Sequence, residues 1–138
     1  MVDTSTFRQV GGATGVNAGQ AADAAYEAIR ASKIDVIQIS RNTGLKIENI
    51  QKIKNHLFCE KHLLDRYEKL GIRAEMRRFD SSEEIANAWG RLVKGDCAHK
   101  DIQLLKHEIA EAWHMRHHGP IYNNAHNAAS KNFPSPLE

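Results

Sequence analysis

The chain has 138 residues, 41% of them hydrophobic and 26% charged, with a formal net charge of +2, which suits one soluble domain around a single core. No apolar run approaches the ~20 residues that span a bilayer, and the N-terminus lacks the basic lead and apolar stretch of a secretory signal, although export as part of a longer chain stays open. A charge this small does not announce nucleic-acid binding by itself; the eight histidines are the real departure from ordinary composition.

Residues 1–19, rich in Gly, Thr, Ser and Asn without periodicity, read as a flexible linker or lead-in, and 20–138 as the domain proper. Ala22, Ala25, Tyr26 and Ile29 then mark the buried stripe of a first amphipathic helix. The stretch from Lys33 to Phe58 predicts two helices broken at Asn42-Thr43-Gly44, with Gly44 as the stop. Cys59 and Cys97 have no C-x-x-C spacing and read as two reduced packing thiols. A segment near residues 66–80 is irregular: a short helix ending at Gly71, then a connection open to a hairpin. Ser81 with Glu84 has capping-box spacing for a helix that buries Ile85, Ala88, Trp89 and Leu92 and stops at Gly95. A long helix follows from about Asp101 to Gly119-Pro120, where proline ends the hydrogen-bond ladder, and a last short one covers "YNNAHNAASKNF". The expected fold is mainly α, a compact single-domain bundle of about five to six helices.

The long helix carries "LLKHEIAEAWHMRHH". At 100° per residue, His107, Glu111, His114 and His118 fall within one narrow stripe, while Ile102, Leu105, Ile109, Ala112 and Trp113 gather on the opposite side. One reading makes the stripe a solvated surface opposite the core. The other makes it the wall of a cleft, because His107 and Glu111, four residues apart, can direct their side chains to one point and hold a metal ion or a water with a third group from elsewhere. Glu108 borders the stripe, where partial burial would raise it toward the range of a base. H-E-x-x-H is not satisfied, since the fifth position is Glu111, which excludes the zinc-protease pattern. The Gly119-Pro120 turn can fold the last helix back and bring His126 toward His107 and Glu111. His117 and His118 sit in the last turn, where the helix dipole favours imidazolium.

Upstream, "MRRFD" places Arg77 and Arg78 before a helix N-terminus, able to grip phosphates or to pair with Asp80 at the surface. "KIKNHLFCEKH" adds Lys52, Lys54, His56, Lys61 and His62, suited to a phosphodiester backbone or to a solvated face. Residues 35–57 also match a helix-turn-helix, with Lys46, Asn49, Lys52 and Lys54 on its second helix.

Together "KNHLF", "MRRFD", "ANAWGRL", "LLKHEIAEA" and "NNAHNAASK" resemble a helical C-terminal toxin domain of polymorphic secreted toxins, contact-dependent or Rhs-type, and of some phage minor head proteins. The aligned positions are His56, Arg77, Arg78, Phe79, Asp80, Trp89, His107, Glu108, Glu111 and His126. The resemblance implies an antibacterial effector domain carried at the end of a larger delivery protein, neutralised by a cognate immunity protein, and acting on nucleic acid in the target-cell cytoplasm. The residue chemistry accommodates phosphodiester cleavage in two versions. A metal-independent ribonuclease would use one histidine as base and another as acid; a metal-dependent nuclease would hold Zn²⁺ or Mg²⁺ with His107, Glu111 and His126 or His56. The expected catalytic set is His107, Glu108, Glu111, His126 and His56, with Arg77, Arg78, Lys54 and Lys52 as substrate contacts. RNA is favoured because no two-metal or H-N-H pattern is visible. Two other classes stand beside this one: a non-enzymatic DNA-binding module using residues 35–57, and a phage structural domain.

Overall fold

Six α-helices and two short antiparallel hairpins make up the described part of a computed structural model, which covers residues 8–11, 13–15 and 20–137. The helices are α1 (Gln20–Ala31), α2 (Asp35–Thr43), α3 (Ile47–Lys54), α4 (Glu83–Lys94), α5 (His99–His118) and α6 (Tyr122–Asn132). Strands β1 (Arg8–Val10) and β2 (Ala13–Gly15) form one hairpin; β3 (His62–Leu64) and β4 (Glu75–Arg77) form the other, with His62 opposite Arg77. The fold is mainly helical, as the periodicity predicts, and none of its described helices is long and apolar enough to cross a membrane.

The helix stops follow local chemistry. Gly44, at φ 75°, takes the left-handed conformation that closes α2, and its N–H bonds the carbonyl of Ser40; an L-residue with a Cβ is strained there. The start of α4 corrects the expected cap by one residue. Ser82, not Ser81, accepts the Ile85 N–H through its hydroxyl, at 3.3 Å, and Ser81 instead bonds Asp23 on α1. At the start of α5, Asp101 accepts the Ala98 N–H and holds Arg91 of α4 through both carboxylate oxygens, at 2.8 and 2.9 Å.

Tyr26, Ile39, Ile50, Ile53, Leu57, Phe58, Ile85, Trp89, Leu92 and Leu105 form the core. Phe58 meets Tyr26 and Trp89 edge-on, with ring centroids 4.7 and 5.1 Å away, a geometry suited to aromatic quadrupoles. One buried polar knot ties α2, α3 and α4 together: Asp35 accepts the Lys54 ammonium at 2.8 Å and the Trp89 indole N–H at 3.1 Å.

Two expectations are corrected. Gln9, Val10 and Gly11, within the expected lead-in, are buried: Gln9 N–H donates to the Asp80 carboxylate and its carbonyl accepts the Asp80 N–H, each at 2.8 Å. The rest of that expected linker lies largely outside the described residues. Cys59 and Cys97 are free thiols as expected, but Cys59 is exposed rather than packed. The irregular segment is as expected: a short 3₁₀ turn, Glu68–Leu70, closes at Gly71, and the connection after it supplies β4 of the second hairpin.

Candidate functional site

Helix α5 does not bury the face that its apolar residues mark. Leu104, Leu105, His107, Glu108 and Glu111 are its buried side chains beyond the cap residue Asp101, a sector centred roughly 80° from His107 on the helical wheel. Trp113 is 52% exposed, and the Ile102 and Ile109 side chains are only partly covered. The solvated-stripe reading is therefore overturned for His107 and Glu111, both 0% exposed. The reason is that α5 meets polar partners on two sides, which a wheel drawn from hydrophobicity alone cannot register.

The first partner is the turn after α3. Residues Asn55–Cys59 widen into a π-helical turn in which the Glu60 N–H reaches the Asn55 carbonyl at 2.7 Å, and this swings His56 into α5. Its Nε2 lies 2.8 Å from Glu111 Oε1 and 3.3 Å from Glu108 Oε2. Turns of this kind recur at functional sites, where they re-aim a side chain at a cost in ladder geometry. The second partner is α6. Gly119-Pro120 reverses the chain, the Pro120 carbonyl accepts the Leu63 N–H at 2.8 Å, and α6 packs along α5. His126 Nδ1 then lies 3.1 Å from Glu111 Oε2 and 3.2 Å from His107 Nε2, while His107 Nε2 is 3.0 Å from the same Glu111 oxygen. All five expected catalytic residues thus meet in one buried constellation.

Among the described residues, two sets offer donor atoms within 4.8 Å of one another: His107, Glu111 and His126, and His56, Glu108 and Glu111. The first set is close to an equilateral triangle of 3.0, 3.1 and 3.2 Å. Two imidazoles and a carboxylate at this spacing would hold a divalent cation of the size of Zn²⁺. The outer support fits that role. The Phe133 carbonyl can only accept, so His107 Nδ1 carries a proton and donates to it at 2.8 Å; Nε2 then presents either a second proton or a lone pair toward Glu111. A backbone carbonyl fixing the distal N–H is the usual way a ligating imidazole is oriented.

Without a metal, protons hold the cluster together. Burial alone lowers the pKa of His56, yet hydrogen bonds and charges from Glu108 and Glu111 outweigh it and raise it to about 10. For His107, too, burial lowers, but Glu111 and Glu108 raise it to about 9. Glu111 is pulled well below the ordinary range: burial pushes upward, and three imidazoles on one carboxylate overcome it. Glu108 is raised by burial and by the Glu111 charge. His62 is lowered to about 4 by burial and by the nearby His56 charge, so it stays neutral and donates Nε2–H to the His56 carbonyl at 2.8 Å, bracing the π turn.

Searches against known protein families, curated proteins and solved structures found no match. The site must be read from its own chemistry.

A cleft of about 480 Å³ opens beside the cluster, lined by Lys52, Asn55, His56, Glu60, Lys61, His62, Met115 and Arg116 among others. Of the five cluster members, His56 is the one in its wall. The expected substrate contacts divide here. Lys52 lines the cleft; Lys54 does not, because its ammonium is buried against Asp35 and the Ser32 carbonyl. Arg77 is taken up by Asp80 at 3.1 and 3.2 Å, and exposed Arg78 donates to the Cys59 carbonyl at 3.3 Å; neither lines the cleft. In "MRRFD" it is Phe79 that touches the site, its ring 4.6 Å from His62 and 5.6 Å from His56. Arg116, an ordinary charge in a last helical turn, and Phe133, which acts through its backbone, carry no signal of a site role in the sequence. Tyr122 stacks on His126 at 5.4 Å, and its i, i+4 spacing was the available signal.

Proposed function

We propose that this chain is a toxin effector domain that cleaves the phosphodiesters of RNA or DNA, using a metal ion held by His107, Glu111 and His126. The observation that carries this reading is the meeting of His56, Glu108, Glu111, His107 and His126, drawn from three separate elements, at the wall of a cleft bearing Lys52, Lys61 and Arg116. Structural cores rarely bury five ionisable groups together, since each must be stripped of water. Beside a basic cleft, such a group fits anionic substrate chemistry.

The roles follow from position. Lys52, Lys61 and Arg116 attract and hold phosphate oxygens. A divalent ion held by His107, Glu111 and His126 would supply Lewis acidity and lower the pKa of a bound water. His56 stands in the cleft wall, with Glu108 and Glu111 behind it, so the side chain nearest an arriving phosphate is held by two buried carboxylates. The preference for RNA carries over from the sequence, where no two-metal or H-N-H pattern is visible. The toxin context, with an immunity protein, a larger delivery protein and action in the target-cell cytoplasm, is supported by the sequence resemblance.

The test is incubation of the purified chain with total RNA and with plasmid DNA, with and without chelator, beside His107→Ala. Chelator-sensitive cleavage lost in the variant is expected. A folded chain that leaves both substrates intact with added divalent metal would overturn the proposal.

A further inference from the structure

We infer that the centre is dinuclear: a second divalent first-row cation is held by His56 and Glu108, with Glu111 bridging it to the first, and this second ion is the one that faces the cleft. The inference deepens the proposed nuclease reading, on which its catalytic role rests; the number of ions does not depend on that reading.

The two oxygens of Glu111 are already divided between the two sets. Oε1 is turned to His56 at 2.8 Å, while Oε2 is shared by His107 and His126 at 3.0 and 3.1 Å. A carboxylate so placed bridges two cations through separate oxygens, the arrangement that holds paired ions about 3.5–4 Å apart. Glu108, one helical turn before Glu111, supplies the terminal carboxylate of the second half.

Glu108 is the independent sign of an additional ligand. It is 0% exposed; its one polar contact is the long approach of Oε2 to His56 Nε2 at 3.3 Å, and Oε1 has no partner. A buried carboxylate in that state is costly, and a cation between Glu108, Glu111 and His56 would satisfy it. One nitrogen and two carboxylates form a donor set suited to Mn²⁺ or Zn²⁺.

Position relative to the cleft separates the halves. All five side chains are buried, and of them His56, 1% exposed, is the one in the wall of the basic cleft, while His107 and His126 are not in its lining. An ion in the inner half alone would sit behind His56; an ion in the outer half meets a phosphate arriving between Lys52, Lys61 and Arg116. The inner ion then fixes Glu111, and the outer ion binds substrate and water.

The experiment is titration of the metal-stripped full chain with Mn²⁺, reading stoichiometry by calorimetry and spin coupling by electron paramagnetic resonance. The expected result is two Mn²⁺ per chain, with an exchange-coupled spectrum at saturation. Glu108→Gln, close in shape, should bind one Mn²⁺ and show an uncoupled spectrum. One ion in the parent, two uncoupled ions, or none would overturn the inference, and the parent alone decides it if the variant fails to fold. Two coupled ions with no cleavage of RNA or DNA would refute the nuclease reading and leave the dinuclear centre standing. One ion with chelator-sensitive cleavage would do the reverse.

Discussion

Replacing Glu111 by Gln in the metal-free chain isolates the electrostatic work of one carboxylate. Glu111 is fully buried and faces three imidazole nitrogens at 2.8, 3.0 and 3.1 Å. Hydrogen bonds to charged groups contribute roughly 1.5–3 kcal/mol each. The amide oxygen of Gln can still accept from His107 and His126, about half as strongly, but its NH₂ then confronts the His56 N–H. The expected loss is about 3–5 kcal/mol, the range for breaking a buried ion pair from one side, against a total stability of roughly 5–15 kcal/mol. The pH dependence supplies a second reading. His56 and His107 rise from 6.5 to about 10 and about 9 on folding, so the folded state holds extra protons above pH 6.5. Their stabilisation is complete below pH 6.5 and lost as pH rises through 9 to 10, each group contributing up to about 1.4 kcal/mol per pH unit. Urea unfolding in chelator at pH 6, 7.5 and 9 should show the parent weakening with pH and Glu111→Gln weakening less, because Glu108 alone still holds His56. A loss under about 1 kcal/mol at pH 6 with an unchanged pH slope would refute the reasoning.

Other substitutions test separate parts. Lys52, Lys61 and Arg116 changed together to Ala should lower the salt dependence of single-strand binding by about 2 in log–log slope, at ~0.7 per phosphate contact; filter binding across a salt series measures it, and an unchanged slope would remove these residues from the interface. Lys54→Met leaves Asp35 buried with only the Trp89 indole and Val36 amide as donors, and should cost about 3–5 kcal/mol in chemical denaturation. Ser82→Ala removes the α4 cap and should cost about 1 kcal/mol, whereas a larger effect from Ser81→Ala would point to its bond with Asp23 as the stronger tie. Gly44→Ala, at φ 75° with open space around it, should cost about 1 kcal/mol through backbone strain alone.

The helices were legible because their stops are written locally. Gly44, Gly95 and Gly119-Pro120 lie where periodic stripes end, and each marks an observed boundary. The members of the site were legible too, since His107, Glu108 and Glu111 share a helix and Gly119-Pro120 announces the reversal that returns His126. Two things were not. The orientation of α5 is decided by neighbours 55 and 15 residues from Glu111 in sequence, so its apolar residues misled about which face is covered. The π turn depends on i+5 bonding, seen where the Glu60 N–H reaches the Asn55 carbonyl, that no residue pattern encodes, and without it His56 has no visible reason to reach Glu111. Lys54 failed for the converse reason: a lysine amid other basic residues looks exposed until Asp35 is known to face it.

The spacing of the cluster along the chain also sets the order in which it can assemble. His107, Glu111 and His126 lie within twenty residues on a helical hairpin, and short loops close in roughly 10–100 ns. His56 must find α5 across some fifty residues, a slower closure that bears a larger entropy cost. Contact order therefore predicts that His107, Glu111 and His126 come together as a local event and that His56 completes the cluster last. Time-resolved hydrogen exchange should show α5 and α6 protected before residues 55–59.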